Sequence, residues 1–173
     1  MKSTGVIRRI DELGRIVIPK EIRKNLRINN NVSLELFIED DKIILKKYSI
    51  LKSIKDIAQS LSDVLYSSLN HNIIITDLFN VLAVSGSNKK YLNKDISNSI
   101  EDSIRRREKI FENYEKELEI IKDEKINCSY IINTIISNSE EIGTIIVYDD
   151  VLTEQDYKVI NVVSNFIGKY LEQ

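Results

Sequence analysis

The chain has 173 residues, 42% hydrophobic and 30% charged, with a formal net charge of −2, which suits one medium or two small globular domains. No apolar run approaches the roughly 20 residues that span a bilayer, and the charged opening MKSTGVIRRIDELGR lacks the apolar segment of a secretory signal. Cys128 is the one cysteine, so an internal disulfide is excluded and a reducing, cytoplasmic location is expected.

Taken in chain order, Thr4 to Ile10 reads as a strand and Asp11-Glu12-Leu13-Gly14 as a turn, with Gly14 supplying a positive φ. Arg15 to Ile18 reads as a second short strand, β-branched at three positions. Pro19 opens a helix, where its missing N–H costs nothing, and Ile22 and Leu26 are predicted on its buried face. After a turn at residues 29–31, apolar Val32, Leu34, Leu36 and Ile38 alternate with their neighbours as in a strand. Asp40-Asp41 turns the chain, and Lys42 to Lys47 returns as the second arm of a hairpin. About 50 residues in such short elements bury little core alone, so this segment is expected to fold as a dimer with one shared core.

Residues 49–70 are predicted as a helix with Ile54, Ile57, Leu61, Val64 and Ser68 spaced 3, 4, 3, 4 and widened by Leu65 and Leu69. That stripe fits either a helix–helix seam or a helix lying on its own domain. A hairpin follows at 73–84, then a Ser85-Gly86-Ser87 loop, then a helix marked by Ile96, Ile100 and Ile104 that runs into Arg105-Arg106-Arg107. Leu118–Ile121, Ser129–Ile136 and Gly143–Tyr148 are predicted strands. Thr153 with Asp156 forms a capping-box pattern ahead of a last helix with Tyr157, Ile160, Ser164, Ile167 and Leu171 on one face. The layer pattern is α+β, in two domains.

Charge divides the chain. Residues 1–52 carry twelve Lys/Arg and seven Asp/Glu, a net +5, and residues 53–173 carry thirteen and twenty, a net −7. A basic head on an acidic body points to polyanion contact by the head alone. The cations in question are Arg8, Arg9, Arg15, Lys20, Arg23, Lys24 and Arg27, with Lys2 ahead of them. Arginines fork onto phosphates or guanine edges; the bland alternative is a solvated charged face with Glu12 and Glu21 as local partners.

The run DELGRIVIPKEIR within residues 1–50, followed by LELFIEDDKIILKKY, resembles the AbrB-type swapped-hairpin DNA-binding domain. The remainder resembles the GAF-like C-terminal domain of the stage V sporulation protein T family, on Leu65-Tyr66, Ser68-Leu69, Val84-Ser85-Gly86-Ser87, Lys89-Lys90 and Tyr91-Leu92-Asn93-Lys94. The resemblance implies an N-terminal dimeric swapped-hairpin β-barrel over 1–52 and a GAF-like α+β domain with an antiparallel sheet over 53–173, with helix 54–69 as connector. It implies a cytoplasmic transcription regulator of sporulation genes, activator or repressor, that contacts double-stranded DNA through Arg8, Arg15 and Arg23 with Lys24 beside them. Lys24 stands where relatives carry Arg, which keeps phosphate attraction but not a bidentate contact. It also implies tetramer formation through the second domain and an unidentified small-molecule effector.

Other chemistry is poorly represented. His71 is the one histidine, which removes most triads and His-based metal sites; it follows Asn70 at a helix end and reads as a capping or surface residue. Cys128 reads as a small buried residue. Ser85, Gly86 and Ser87 fit either an anion cradle of backbone N–H groups or a plain turn, and they bound a candidate pocket with the 73–84 hairpin and the helix from Ile96. Arg105-Arg106-Arg107 fits a solvated helix end. No enzyme, metal or cofactor is expected, and no membrane contact. The competing function is an antitoxin-like protein-binding module, because the N-terminal fold also serves toxin neutralisation.

Overall fold

The computed structural model describes residues 5–28, 30, 32–49, 51 and 55–172. Lys2, Thr4, Ile54 and the predicted turn residues Asn29 and Asn31 lie outside the described residues. The chain divides into two compact units, Met1–Tyr48 and Ser49–Gln173.

In the first unit, Pro19 caps a six-residue helix, α1 (Lys20–Asn25). Strands β1 (Leu34–Glu39) and β2 (Lys42–Lys47) pair antiparallel, with Leu36 opposite Leu45 and Ile38 opposite Ile43. The predicted strands at 4–10 and 15–18 are not formed among the described residues: the segment from Gly5 to Ile18 holds only the turn at 11–14. A strand exists by its ladder, and among the described residues these segments carry no strand assignment. Ile22 is half-buried, but Leu26 is 54% exposed, so α1 lacks the predicted buried face. No described residue from Gly5 to Tyr48 is buried, and Ile7 and Ile38 are more than four-fifths exposed.

The second unit contains α2 (Lys55–Leu69), β3 (Asn72–Thr76), β4 (Val81–Ser85), a short 3-10 turn (Lys89–Tyr91), α3 (Asn98–Arg105), β5 (Lys109–Ile121), β6 (Glu124–Ser137), β7 (Glu140–Asp149) and α4 (Glu154–Tyr170). The strands form one antiparallel sheet in the order β4-β3-β7-β6-β5. Because successive side chains in a strand point to opposite faces, Ile73 and Ile75 face one way and Ile74 the other. Ile73, Ile75, Ile131, Ile145 and Val147 pack under Ala58 and Leu65 of α2 and Ile160 and Ile167 of α4. Ile74, Ile132, Ile146, Tyr130 and Tyr148 pack under Tyr91, Ile96, Ile100 and Ile104.

The Thr153–Asp156 capping box is formed, with the Asp156 carboxylate accepting from Thr153 N at 2.8 Å. The buried face of α4 includes Ile160, Ser164 and Ile167, as the periodicity predicts. The predicted stripe on α2 is split. Ala58, Ser62 and Leu65 are buried on the sheet, while Ile57 and Val64 stand 47% and 59% exposed. The helix therefore carries two apolar faces, one for its own sheet and one outward.

Strand β5 is far longer than the Leu118–Ile121 stretch predicted. It is one of the two edge strands of the sheet, and its register slips between Glu112 and Lys116. Charged residues and a bulge are how edge strands avoid pairing with other chains, and they erase the period-two signal. The helix predicted from Ile96 begins two residues later: Ile96 is bridged to Ile121, and the Ser97 hydroxyl caps α3 by accepting from Ile100 N.

Candidate nucleic-acid interface

The first unit offers its cations on the turn and on α1. Gly14, at φ 73°, closes the turn by donating its N–H to Asp11 O at 2.9 Å, and Asp11 N donates to Arg15 O at 3.1 Å. Asp11 Oδ1 accepts from Leu13 N at 3.0 Å and Arg15 N at 2.8 Å. Asp11 Oδ2 accepts from Arg15 Nε at 2.8 Å. The main-chain N–H of Arg15 first, and its guanidinium second, hold the Asp11 carboxyl below the usual carboxylate range.

Arg8 and Arg9 are exposed ahead of this turn, and Arg8 Nη1 donates to Ile7 O at 3.0 Å. On α1, Lys20 and Lys24 are exposed and Arg23 is half-buried, where its Nη1 donates to Asn30 Oδ1 at 3.2 Å. The structure thus brings Arg15 into the turn with Asp11 and ties Arg23 back to the chain beyond α1. Arg8, Arg9, Lys20 and Lys24 stand exposed in the same unit. Lys2 lies outside the described residues. The role of Asp11 was missed from the sequence; the DELGR spacing marks a turn, and an acid in a turn ordinarily needs no further explanation.

In the second unit, Ser85, Gly86 and Ser87 are tied to their own neighbours. Ser87 donates both N–H and Oγ to Asn72 Oδ1, each at 2.7 Å. A Cβ at position 86 would stand 2.5 Å from that same oxygen, and φ there is +95°. Ser85 is buried on β4; its hydroxyl donates to Asp63 and accepts from Ser62 at 2.9 Å. Gln59 of α2 pairs with the main chain of Val84, accepting its N–H and donating to its carbonyl, both at 3.2 Å. These bonds bolt α2 to the β4 edge and occupy the Ser87 N–H that an anion cradle would use.

Beside α3, Tyr91, Ile96, Ile100 and Ile104 are buried on the sheet. Burial pushes the Tyr91 hydroxyl up to about 12 and the Cys128 thiol up to about 11. An apolar cleft of about 270 Å³ opens on the opposite face, between α2 and α4, lined among others by Ile57, Leu61, Ile75, Phe166 and Tyr170.

His71 is half-buried, with Nδ1 3.2 Å from Asp149 and Nε2 3.6 Å from Asp156. The three arginines after α3 are each paired: Arg105 with Asp102 at 2.6 Å, Arg106 with Glu108 at 3.7 Å and Arg107 with Glu141 at 2.5 Å. Among the described residues, no group of three His, Cys, Asp or Glu could hold a metal ion, and no helix is long and apolar enough to cross a membrane.

Comparison with known proteins places both units. A family profile described as stage V sporulation protein T C-terminal, transcription factor, matches residues 53–172. One described as antidote-toxin recognition MazE, bacterial antitoxin, matches residues 7–52. The whole chain is 41% identical over 179 aligned residues to stage V sporulation protein T of Bacillus subtilis, covering 100% of both. Its first part is 58% identical over 48 residues to the transition state regulatory protein AbrB of the same organism, covering 28% of this chain and 50% of that protein. The GAF domain of an Acinetobacter phosphoenolpyruvate-protein phosphotransferase superposes with TM-score 0.55 at 10% identity, covering 73% of this chain and 84% of that one, which establishes the GAF fold of the second unit. With an AbrB-like N-terminal domain and a GAF-like C-terminal domain, matched from end to end by one relative, the chain belongs to the stage V sporulation protein T family of transcription factors.

Proposed function

We propose that this chain is a cytoplasmic, non-enzymatic regulator of sporulation genes that grips double-stranded DNA with its N-terminal domain, residues 1–52. Arg8, Arg15, Arg23 and Lys24 contact the duplex, and Arg9, Lys2 and Lys20 add phosphate attraction. The observation that carries this reading is the first unit itself. It has exposed cations beside exposed apolar side chains, including Ile7, Val17, Ile38 and Ile43, and no buried residue among those described. Such a chain gains a core by pairing with a second copy, and pairing doubles the basic surface to the scale of a duplex. The AbrB relative supports the same assignment.

The second domain, residues 53–173, adds a contact between dimers. Ile57 and Val64 on α2, and Val162 and Phe166 on α4, are exposed apolar side chains, and joining them across copies gives a tetramer. The helix 54–69 is the connector through which an unidentified small-molecule effector in this domain alters DNA affinity, provided the effector binds two arrangements of that helix unequally. The antitoxin reading is supported by the profile match at 7–52, but the match over 53–172 favours a sensor-bearing regulator.

Salt titration tests the DNA assignment. Four cations from each of two chains neutralise about eight phosphates, and at about −0.9 per phosphate the log–log slope of affinity against salt is expected near −7. A slope close to zero, measured by fluorescence anisotropy with the full chain, would remove the DNA reading.

A further inference from the structure

Among the predicted contacts, Arg15 is a highly exposed arginine, its side chain 70% accessible, that is nonetheless held at one defined atom. The hold has two stages. Asp11 Oδ1 accepts two main-chain N–H groups, from Leu13 and Arg15, which fixes the carboxylate relative to the turn. The other oxygen, Oδ2, then receives Arg15 Nε at 2.8 Å. The Asp11 carboxyl, held below its ordinary range chiefly by Arg15's main-chain N–H and then its guanidinium, stays charged around neutral pH.

The choice of atom matters chemically. A guanidinium carries five N–H donors. Occupying Nε–H leaves the Nη1 and Nη2 groups, the fork that reaches O6 and N7 of a guanine in the major groove. A long, exposed side chain that is already oriented loses less rotamer freedom on binding. The same carboxylate puts a negative charge beside the DNA surface, which weakens sequence-independent attraction to phosphate.

We propose that Asp11 is a specificity-determining positioning residue: it presents the Arg15 fork to a guanine edge, at the expense of general affinity for DNA. This rests on the reading of Arg15 as a DNA contact. A carboxylate that merely repelled phosphates would lower affinity for every sequence alike; one that orients a base-reading fork raises preferred sequences above the rest.

The two cases differ in sign, and Asp11→Asn separates them. Asparagine keeps a side-chain oxygen for the Leu13 and Arg15 N–H groups, as Asx turns use either residue, but loses the charge that holds Nε. Asp11→Glu keeps the charge and displaces it by one methylene. The probes are a duplex selected from a random library by the wild-type full chain and an unselected duplex of equal length. Anisotropy is measured with full-length wild type, Asp11→Asn, Asp11→Glu and Arg15→Ala, after circular dichroism and thermal melting show each to be folded.

Asp11→Asn is expected to bind the unselected duplex as tightly as wild type or a few-fold more tightly, and the selected duplex about tenfold more weakly, one well-oriented base contact being worth roughly five- to 150-fold. Asp11→Glu is expected to lose the same preference with unselected binding unchanged. If Asp11→Asn binds the selected duplex as well as wild type or better, the positioning role is wrong, while a weakened Arg15→Ala would leave the DNA reading intact. If Arg15→Ala binds both duplexes like wild type, or the library yields no preferred sequence, the contact assigned to Arg15 fails and the proposal with it.

Discussion

Replacing Arg8, Arg15 and Arg23 together by Ala is expected to weaken binding to a selected duplex by at least about a thousandfold, with the fold retained. The direction follows from exposure and partners. Arg8 and Arg15 are exposed and Arg23 half-buried, and each makes polar contacts within its own unit rather than supporting a core. The size follows from symmetry. A dimer loses six guanidinium groups, and even one such contact to a base edge is worth about 1–3 kcal/mol. The salt slope reports the loss independently: with two of about eight phosphate contacts remaining, it is expected to fall from near −7 to about −2. Loss of affinity without a change in slope would mean that the arginines read base edges or support the fold rather than neutralise phosphate. Wild-type affinity would place the interface elsewhere.

Phe166→Glu is expected to halve the assembly, from four chains to two. Phe166 is 65% exposed and stacks on Tyr170 with ring centroids 6.2 Å apart, so a carboxylate there meets water in the separate domain and costs its fold little. Between copies the same carboxylate would lie in an apolar seam with Val162 and with Ile57 and Val64 of α2, where an unpaired charge is costly. Symmetry places it there at least twice. An affinity loss of about a hundredfold or more between dimers, about 2.8 kcal/mol at 1.4 kcal/mol per decade, separates them at micromolar concentration. Light scattering reads the outcome, with Val162→Glu expected to behave alike. Four chains retained in both variants would show that another surface joins the dimers.

Much of the second domain was legible because its inner strands, buried on both faces, read as β-branched apolar runs. Ile73 to Thr76 and Ser129 to Ile136 are apolar runs in strands β3 and β6, packed on both faces. Thr153 and Asp156 announced α4 three residues apart, and the capping box is formed. Strand β5 was not legible beyond its last residues, since its stretch from Glu112 to Lys116, at the sheet edge, has no apolar alternation to read. The α2 stripe was ambiguous for a physical reason: heptad-like spacing records that both faces are apolar, not which neighbour each face meets.

In the first domain the hairpin at 34–47 was legible from its own alternation, because its register is local. The segments at 5–10 and 15–18 have strand-like composition but form no strand among the described residues. Their apolar side chains stand exposed, Ile7 at 88% and Val17 at 72%, which composition alone could not indicate. The basic residues of the candidate interface could be picked out by charge. What could not be picked out was their preparation: Asp11 gripping Arg15 Nε is a contact set by turn geometry.

The most direct test of the DNA assignment is selection of duplex DNA from a random library by the full-length wild-type chain, followed by affinity measurement on the enriched sequence and on an unselected duplex at physiological salt. A sequence-specific regulator is expected to enrich a two-fold-symmetric site, matching a dimer, and to bind it at least about a thousandfold more tightly than unselected DNA. Enrichment of no sequence, with equal affinity for both duplexes, would contradict the assignment of this chain as a regulator that reads DNA through its N-terminal domain.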